Sequence, residues 1–122
     1  MIKLSADNLS KSYGKKIAVD DVTIKVEAGQ IIGFLGPNGA GKTTTLKMLI
    51  GLLKPDKGQI SICGFDLCKD PVLAKSKIGY VPDIPNLYEK LTPIEFFNFI
   101  SEVFKLEKAV GEKRISDLID LF

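Results

Sequence analysis

Apolar and polar positions alternate in two stretches near the start of the chain, at Ile2, Leu4 and Ala6 and again at Val22, Ile24 and Val26. A period of two puts such residues on one face, so both stretches are expected to be half-buried strands. Tyr13-Gly14-Lys15-Lys16 lies between them and suits a turn. At Ile31-Ile32-Gly33-Phe34-Leu35 the alternation stops and the run becomes continuously apolar. That is the pattern of a strand covered on both faces of a parallel sheet. Leu46, Leu49, Ile50 and Leu53 then recur at helical spacing and predict a one-faced helix, with Gly51 inside it as a slight weakness.

Lys54-Pro55-Asp56-Lys57-Gly58 reads as a turn leading into a short strand at Gln59–Cys63. Ile78-Gly79-Tyr80-Val81 predicts a further strand, and Pro82, Pro85 and Pro93 mark a long loop after it. Thr92-Pro93-Ile94-Glu95 is a capping box with proline at the first helical position. The helix it opens is expected to turn Phe96, Phe97, Ile100, Val103 and Phe104 inward. A last helical pattern runs through Ile115, Leu118, Ile119 and Phe122 with no cap or polar tail, as expected of the N-terminal part of a longer protein, the alternative being a C-terminal helix docked on the core.

Composition narrows the function classes. The chain has 122 residues, enough for one modest domain, with 45% hydrophobic and 26% charged, which excludes a wholly disordered chain. Seventeen Lys and Arg against fifteen Asp and Glu leave a net charge of +2, no electrostatic footprint for nucleic acid or an anionic membrane. No apolar run reaches the roughly 18–20 residues that span a bilayer, and the N-terminus turns polar too soon for a signal peptide. The absence of histidine excludes His-based metal sites and Ser/His or Cys/His pairs. Cys63 and Cys68 have neither zinc-site number nor redox-motif spacing and read as reduced thiols.

One stretch carries chemistry. Gly36-Pro37-Asn38-Gly39-Ala40-Gly41-Lys42-Thr43 fits G-x-x-x-x-G-K-[ST]. Its glycines let backbone N–H groups close on phosphate oxygens. The helix beginning near Gly41 aims its free N–H groups and positive dipole end at the same anion. Lys42 supplies a cation for the β- and γ-phosphates, and the Thr43 hydroxyl a hard oxygen for Mg²⁺.

The nonapeptide Gly36–Thr44 (GPNGAGKTT), with Tyr13-Gly14 before it, LLKPDKGQI after it and IGYVPD-x-PNLYEKLT later, resembles the ATP-binding subunit or domain of ABC transporters. The likeness covers essentially all 122 residues as the first half of that nucleotide-binding domain, and the run from Gly64 to Thr92 most resembles the branch serving export-type permeases. The resemblance implies an α/β fold: a P-loop NTPase (RecA-like) core, an N-terminal antiparallel β region, and the start of a helical subdomain after Thr92. It implies that Tyr13 stacks on adenine and that Lys42, Thr43 and Thr44 contact phosphates and Mg²⁺. Asp83 falls where the family usually has a glutamine reaching Mg²⁺ and the attacking water. A carboxylate there can ligate the metal and accept from water, but is shorter and cannot donate. The implied partners are a membrane-spanning permease, met through the Pro82–Pro93 loop with Tyr88 and Leu91, and a second ATP-binding subunit in a dimer. The implied location is cytoplasmic, on the inner face of the membrane.

The family's metal-binding aspartate, catalytic glutamate, signature loop and switch histidine have no counterpart in this stretch, so it is expected to bind ATP without turning it over. Two other readings share the phosphate motif. A small P-loop kinase or GTPase would use Asp83 as its Mg²⁺ residue, but Pro82 interrupts that strand and no guanine-reading motif is present. A non-transport ABC-type ATPase or regulatory nucleotide sensor would carry every motif quoted, although the near-neutral charge disfavours a nucleic-acid partner.

Overall fold

In a computed structural model of the chain, residues 1–84 and 88–121 are described. Pro85, Asn86 and Leu87 of the long loop, and Phe122 of the last helical pattern, lie outside the described residues. The chain divides into two compact units, Met1–Tyr80 and Val81–Phe122.

The first unit is built on a long hairpin. Strands β1 (Ile2–Tyr13) and β2 (Lys16–Glu27) pair antiparallel, from Ile2 opposite Glu27 to Tyr13 opposite Lys16. Strand β3 (Lys57–Ile62) lines the other edge of β1, and β4 (Phe65–Asp66) follows through Cys63-Gly64 to complete the sheet order β2-β1-β3-β4. Both turn residues have positive φ (50° and 87°), as a two-residue hairpin whose twist matches its strands requires. Helix α1 (Lys42–Leu49) and the short α2 (Pro71–Lys75) join the sheet around one core. That core holds Ala6 and Leu9 of β1, Val19 of β2, Met48 and Leu49 of α1, Ile60 and Ile62 of β3, and Leu67 and Ala74.

Four expectations change N-terminal to Pro82. Ile31–Leu35 is in no ladder among the described residues, and Ile31 and Leu35 are 100% and 96% exposed. Its composition is that of a strand flanked on both sides, and no described strand lies beside it to accept its hydrogen bonds. Ile78–Val81 likewise forms no ladder: Ile78 packs against the core, while Tyr80 and Val81 are exposed. Gly51 lies past the end of α1 rather than inside it. With φ +72°, its N–H donates to Met48 O (3.0 Å) while that of Leu52 donates to Lys47 O (2.9 Å), the paired bonds that stop a helix at a left-handed residue. With the helix ended there, its inward face is Thr45, Met48 and Leu49, and Leu46 is exposed.

The second unit contains α3 (Pro93–Val103) and α4 (Lys108–Ile119), packed on each other. Helix α3 opens as the sequence predicts. Thr92 Oγ1 accepts from the Glu95 N–H (3.3 Å) and the Glu95 carboxylate accepts from the Thr92 N–H (2.8 Å), with Pro93 at the first turn. Phe96, Phe97 and Ile100 are half-buried, but Val103, the last residue of α3, and Phe104, its cap, are exposed. In α4 only Ile115 of the expected stripe is half-buried, and Leu118 and Ile119 are exposed.

Candidate functional site

The site forms where α1 begins against the hairpin. Gly41 is the residue before α1, at φ +88°, and no side chain caps the helix there. A Cβ at this position would stand 2.3 Å from the Ala18 carbonyl oxygen and 3.3 Å from Val19 Cγ2. Only a glycine allows the start of α1 to press this closely on β2. The first helical carbonyl to be used is that of Gly41, which accepts from the Thr45 N–H at 2.8 Å. The amides of Lys42, Thr43 and Thr44 therefore precede the first helical donor and are free for an anion, and no acidic residue in the first turn opposes one.

Lys42 folds back on the loop, donating to the carbonyl oxygens of Gly36 and of Pro37, the latter at 2.8 Å. These are neutral acceptors, and a phosphate oxygen is a stronger partner for an ammonium group. The loop is further tied by the Ala40 N–H donating to Pro37 O (3.2 Å).

The contact of Gly41 with β2 brings the hairpin tip alongside the loop. Tyr13, Lys16 and Ala18 line a cleft of about 260 Å³ together with residues 38–44. Seven of the site positions expected from sequence, Asn38, Gly39, Ala40, Gly41, Lys42, Thr43 and Thr44, thus share one cavity with Tyr13, whose side chain is half exposed. Gly36 and Pro37 do not line it and contribute instead the carbonyls that hold Lys42. Asp83 belongs to the second unit, where it is exposed.

Lys16 and Ala18 were not expected from the sequence. The signal for Lys16 was present in the turn: a two-residue connection at Gly14-Lys15 sets Tyr13 and Lys16 directly opposite each other. Ala18 enters through its backbone at the Gly41 contact, which no local pattern encodes.

The donor set suits Mg²⁺ only in company. Among the described residues no three acidic or thiol groups cluster as a metal cage. The cleft offers the Thr43 hydroxyl, and Mg²⁺ is commonly held by one or two protein oxygens plus phosphate and water. The residues therefore fit a metal that arrives with a phosphorylated ligand. No helix among the described residues is long and apolar enough to cross a membrane.

Residues 19–120 match the family model described as ABC transporter. The linearmycin resistance ATP-binding protein LnrL of Bacillus subtilis is 38% identical over 117 residues, 96% of this chain and 38% of the relative. The lipopolysaccharide export system ATP-binding protein LptB of Haemophilus influenzae is 39% identical, over 98% of this chain and 51% of the relative. The Nod factor export ATP-binding protein I of Ralstonia nicotianae is 39% identical, over 96% and 36%. A solved ATP-binding subunit of an ABC transporter superposes with a TM-score of 0.83 at 38% identity, covering 92% of this chain and 47% of that one. The chain spans about a third to a half of the length of these proteins.

Proposed function

The chain belongs to the ABC transporter family, and from that premise we propose that it forms the adenine- and phosphate-binding part of an ATP-binding subunit. The observation that carries the reading is the shared cleft, where Tyr13 at the hairpin tip and residues 38–44 of the phosphate loop, Lys42 among them, line one cavity. In this reading Tyr13 stacks on the adenine ring. The backbone amides of residues 39–44 and the Lys42 ammonium bind the phosphates. Thr43 would hold Mg²⁺ together with phosphate oxygens and water, and the ion would neutralise charge developing on the phosphates.

The whole protein is proposed to hydrolyse ATP as a dimer on the inner face of the membrane and to drive a permease there. The names of relatives that serve lipopolysaccharide export and Nod factor export support an export-type permease as the partner. Membership across residues 19–120 leaves no support for a small kinase or GTPase.

Lys42→Ala tests the reading. Removing the cation is expected to weaken Mg-ATP binding by at least tenfold, about 1.4 kcal/mol or more, the low end for a lost hydrogen bond to a charged group. Calorimetric titration reads it directly. Wild-type affinity in the variant would remove the phosphate-loop assignment.

A further inference from the structure

The end of β1 that carries Tyr13 is held by an acidic side chain outside the cleft. Pairing of β1 with β3 stops at Ser10 opposite Lys57, three residues short of the strand's end. On its other edge β1 is irregular here, with Lys11 opposite Val19 but Ser12 opposite Ile17, so that Ala18 is bulged out of register. Where the β3 ladder ends, Asp56 takes over. Its N–H donates to Ser10 O (2.9 Å), its Oδ2 accepts from the Ser12 N–H (2.8 Å), and its Oδ1 accepts from Lys11 Nζ (2.6 Å). Three consecutive residues immediately before Tyr13 are thus fixed by one aspartate. The Lys11 side chain is only 15% exposed, and Asp56 is its ion-pair partner among the described residues. The Lys11 hydrogen bond first, and the Ser12 N–H second, hold the Asp56 carboxyl below the usual carboxylate range against the opposing effect of desolvation.

We propose that Asp56 is a positioning residue for nucleotide binding: its carboxylate continues the edge of β1 past the last β3 pair and sets where the Tyr13 ring stands in the cleft. The turn that bears Asp56 follows the C-terminal end of α1, whose N-terminal end is the phosphate loop. Asp56 thereby ties the adenine side of the cleft to the segment carrying its phosphate side. This rests on the reading that Tyr13 stacks on adenine.

The test compares binding of ATP with binding of inorganic tripolyphosphate, which has no base, by calorimetry in the full chain. Tyr13→Ala is expected to weaken ATP and leave tripolyphosphate unchanged. Asp56→Ala is expected to do the same, by roughly three- to tenfold, the worth of one hydrogen bond to a positioned group. Asp56→Asn keeps the shape and one acceptor and is expected to fall between. In a Tyr13→Ala background, Asp56→Ala is expected to add nothing to the loss of ATP affinity. If Tyr13→Ala weakens ATP while both Asp56 variants bind it like wild type, the positioning role is overturned and stacking stands. If the Asp56 variants lose ATP and tripolyphosphate in parallel, Asp56 supports the fold as a whole and the proposal is equally overturned. Wild-type ATP affinity in Tyr13→Ala removes the stacking reading and this proposal with it.

Discussion

At the scale of single residues, two glycines of the phosphate loop share a backbone conformation but differ in surroundings. Gly39 (φ +85°) has nothing within 4 Å of a Cβ built on it, whereas Gly41 (φ +88°) would drive that atom to 2.3 Å from Ala18 O. Alanine at either position carries the left-handed cost of about 1–2 kcal/mol. At Gly41 it must also push α1 off β2. Gly41→Ala is therefore expected to lower the midpoint of urea unfolding more than Gly39→Ala does, and to weaken ATP binding by spreading the cleft. Equal effects from the two would mean that contact with β2 does not set the site. The motif made Gly41 legible as a phosphate-loop glycine. Its second duty, the close approach to a strand more than twenty residues earlier, depends on tertiary placement that no window of sequence contains.

At the scale of elements, local signals specify the structure where the element satisfies itself. The first hairpin closes through its own turn, and α3 starts through its own capping box. Local signals mislead where an element's state depends on neighbours. Ile31–Leu35 carries the composition of a central strand, yet composition supplies no hydrogen-bond partner. In the sequence Ile50 and Leu53 continue the stripe across Gly51, which makes it look like a flaw inside a helix. Its positive φ instead ends the helix, and the apolar residues beyond continue into a turn. The capping box also makes a prediction about acid. Glu95 lies below its usual pKa, first because its carboxylate accepts from the Thr92 N–H and second because it accepts from the Thr92 hydroxyl. A depressed carboxylate stabilises the fold above its unfolded pKa, near pH 4, and that contribution is lost as pH falls through the lower folded value. Thermal melts of wild type and Glu95→Gln are expected to differ at pH 7 and to converge as pH falls through the lowered folded-state pKa. A constant gap would assign the effect to side-chain shape rather than charge. Thr92→Ala, which removes the acceptor for the Glu95 N–H, is expected to cost about 1 kcal/mol at pH 7.

At the scale of the whole molecule, the groups that bind and the groups that hydrolyse separate. In-line attack on a γ-phosphate needs a positioned water and stabilisation of spreading charge as well as a grip on the phosphates. In the proposed reading the cleft supplies the grip, through free amides, Lys42 and the Thr43 hydroxyl. For orienting water it supplies little. Its lining contains no carboxylate, and the chain contains no histidine. These 122 residues, purified alone, are therefore expected to bind Mg-ATP yet release inorganic phosphate at no more than the rate of ATP in buffer. A colorimetric phosphate assay run beside Lys42→Ala decides it, since a contaminating ATPase would persist in the variant. Release that exceeds background and disappears with Lys42 would mean that the chain positions a water for itself. Asp83, the one acidic residue whose sequence position resembles the family's water-contacting glutamine, would then be the first to change, and loss of turnover in Asp83→Ala with ATP affinity retained would give it that task.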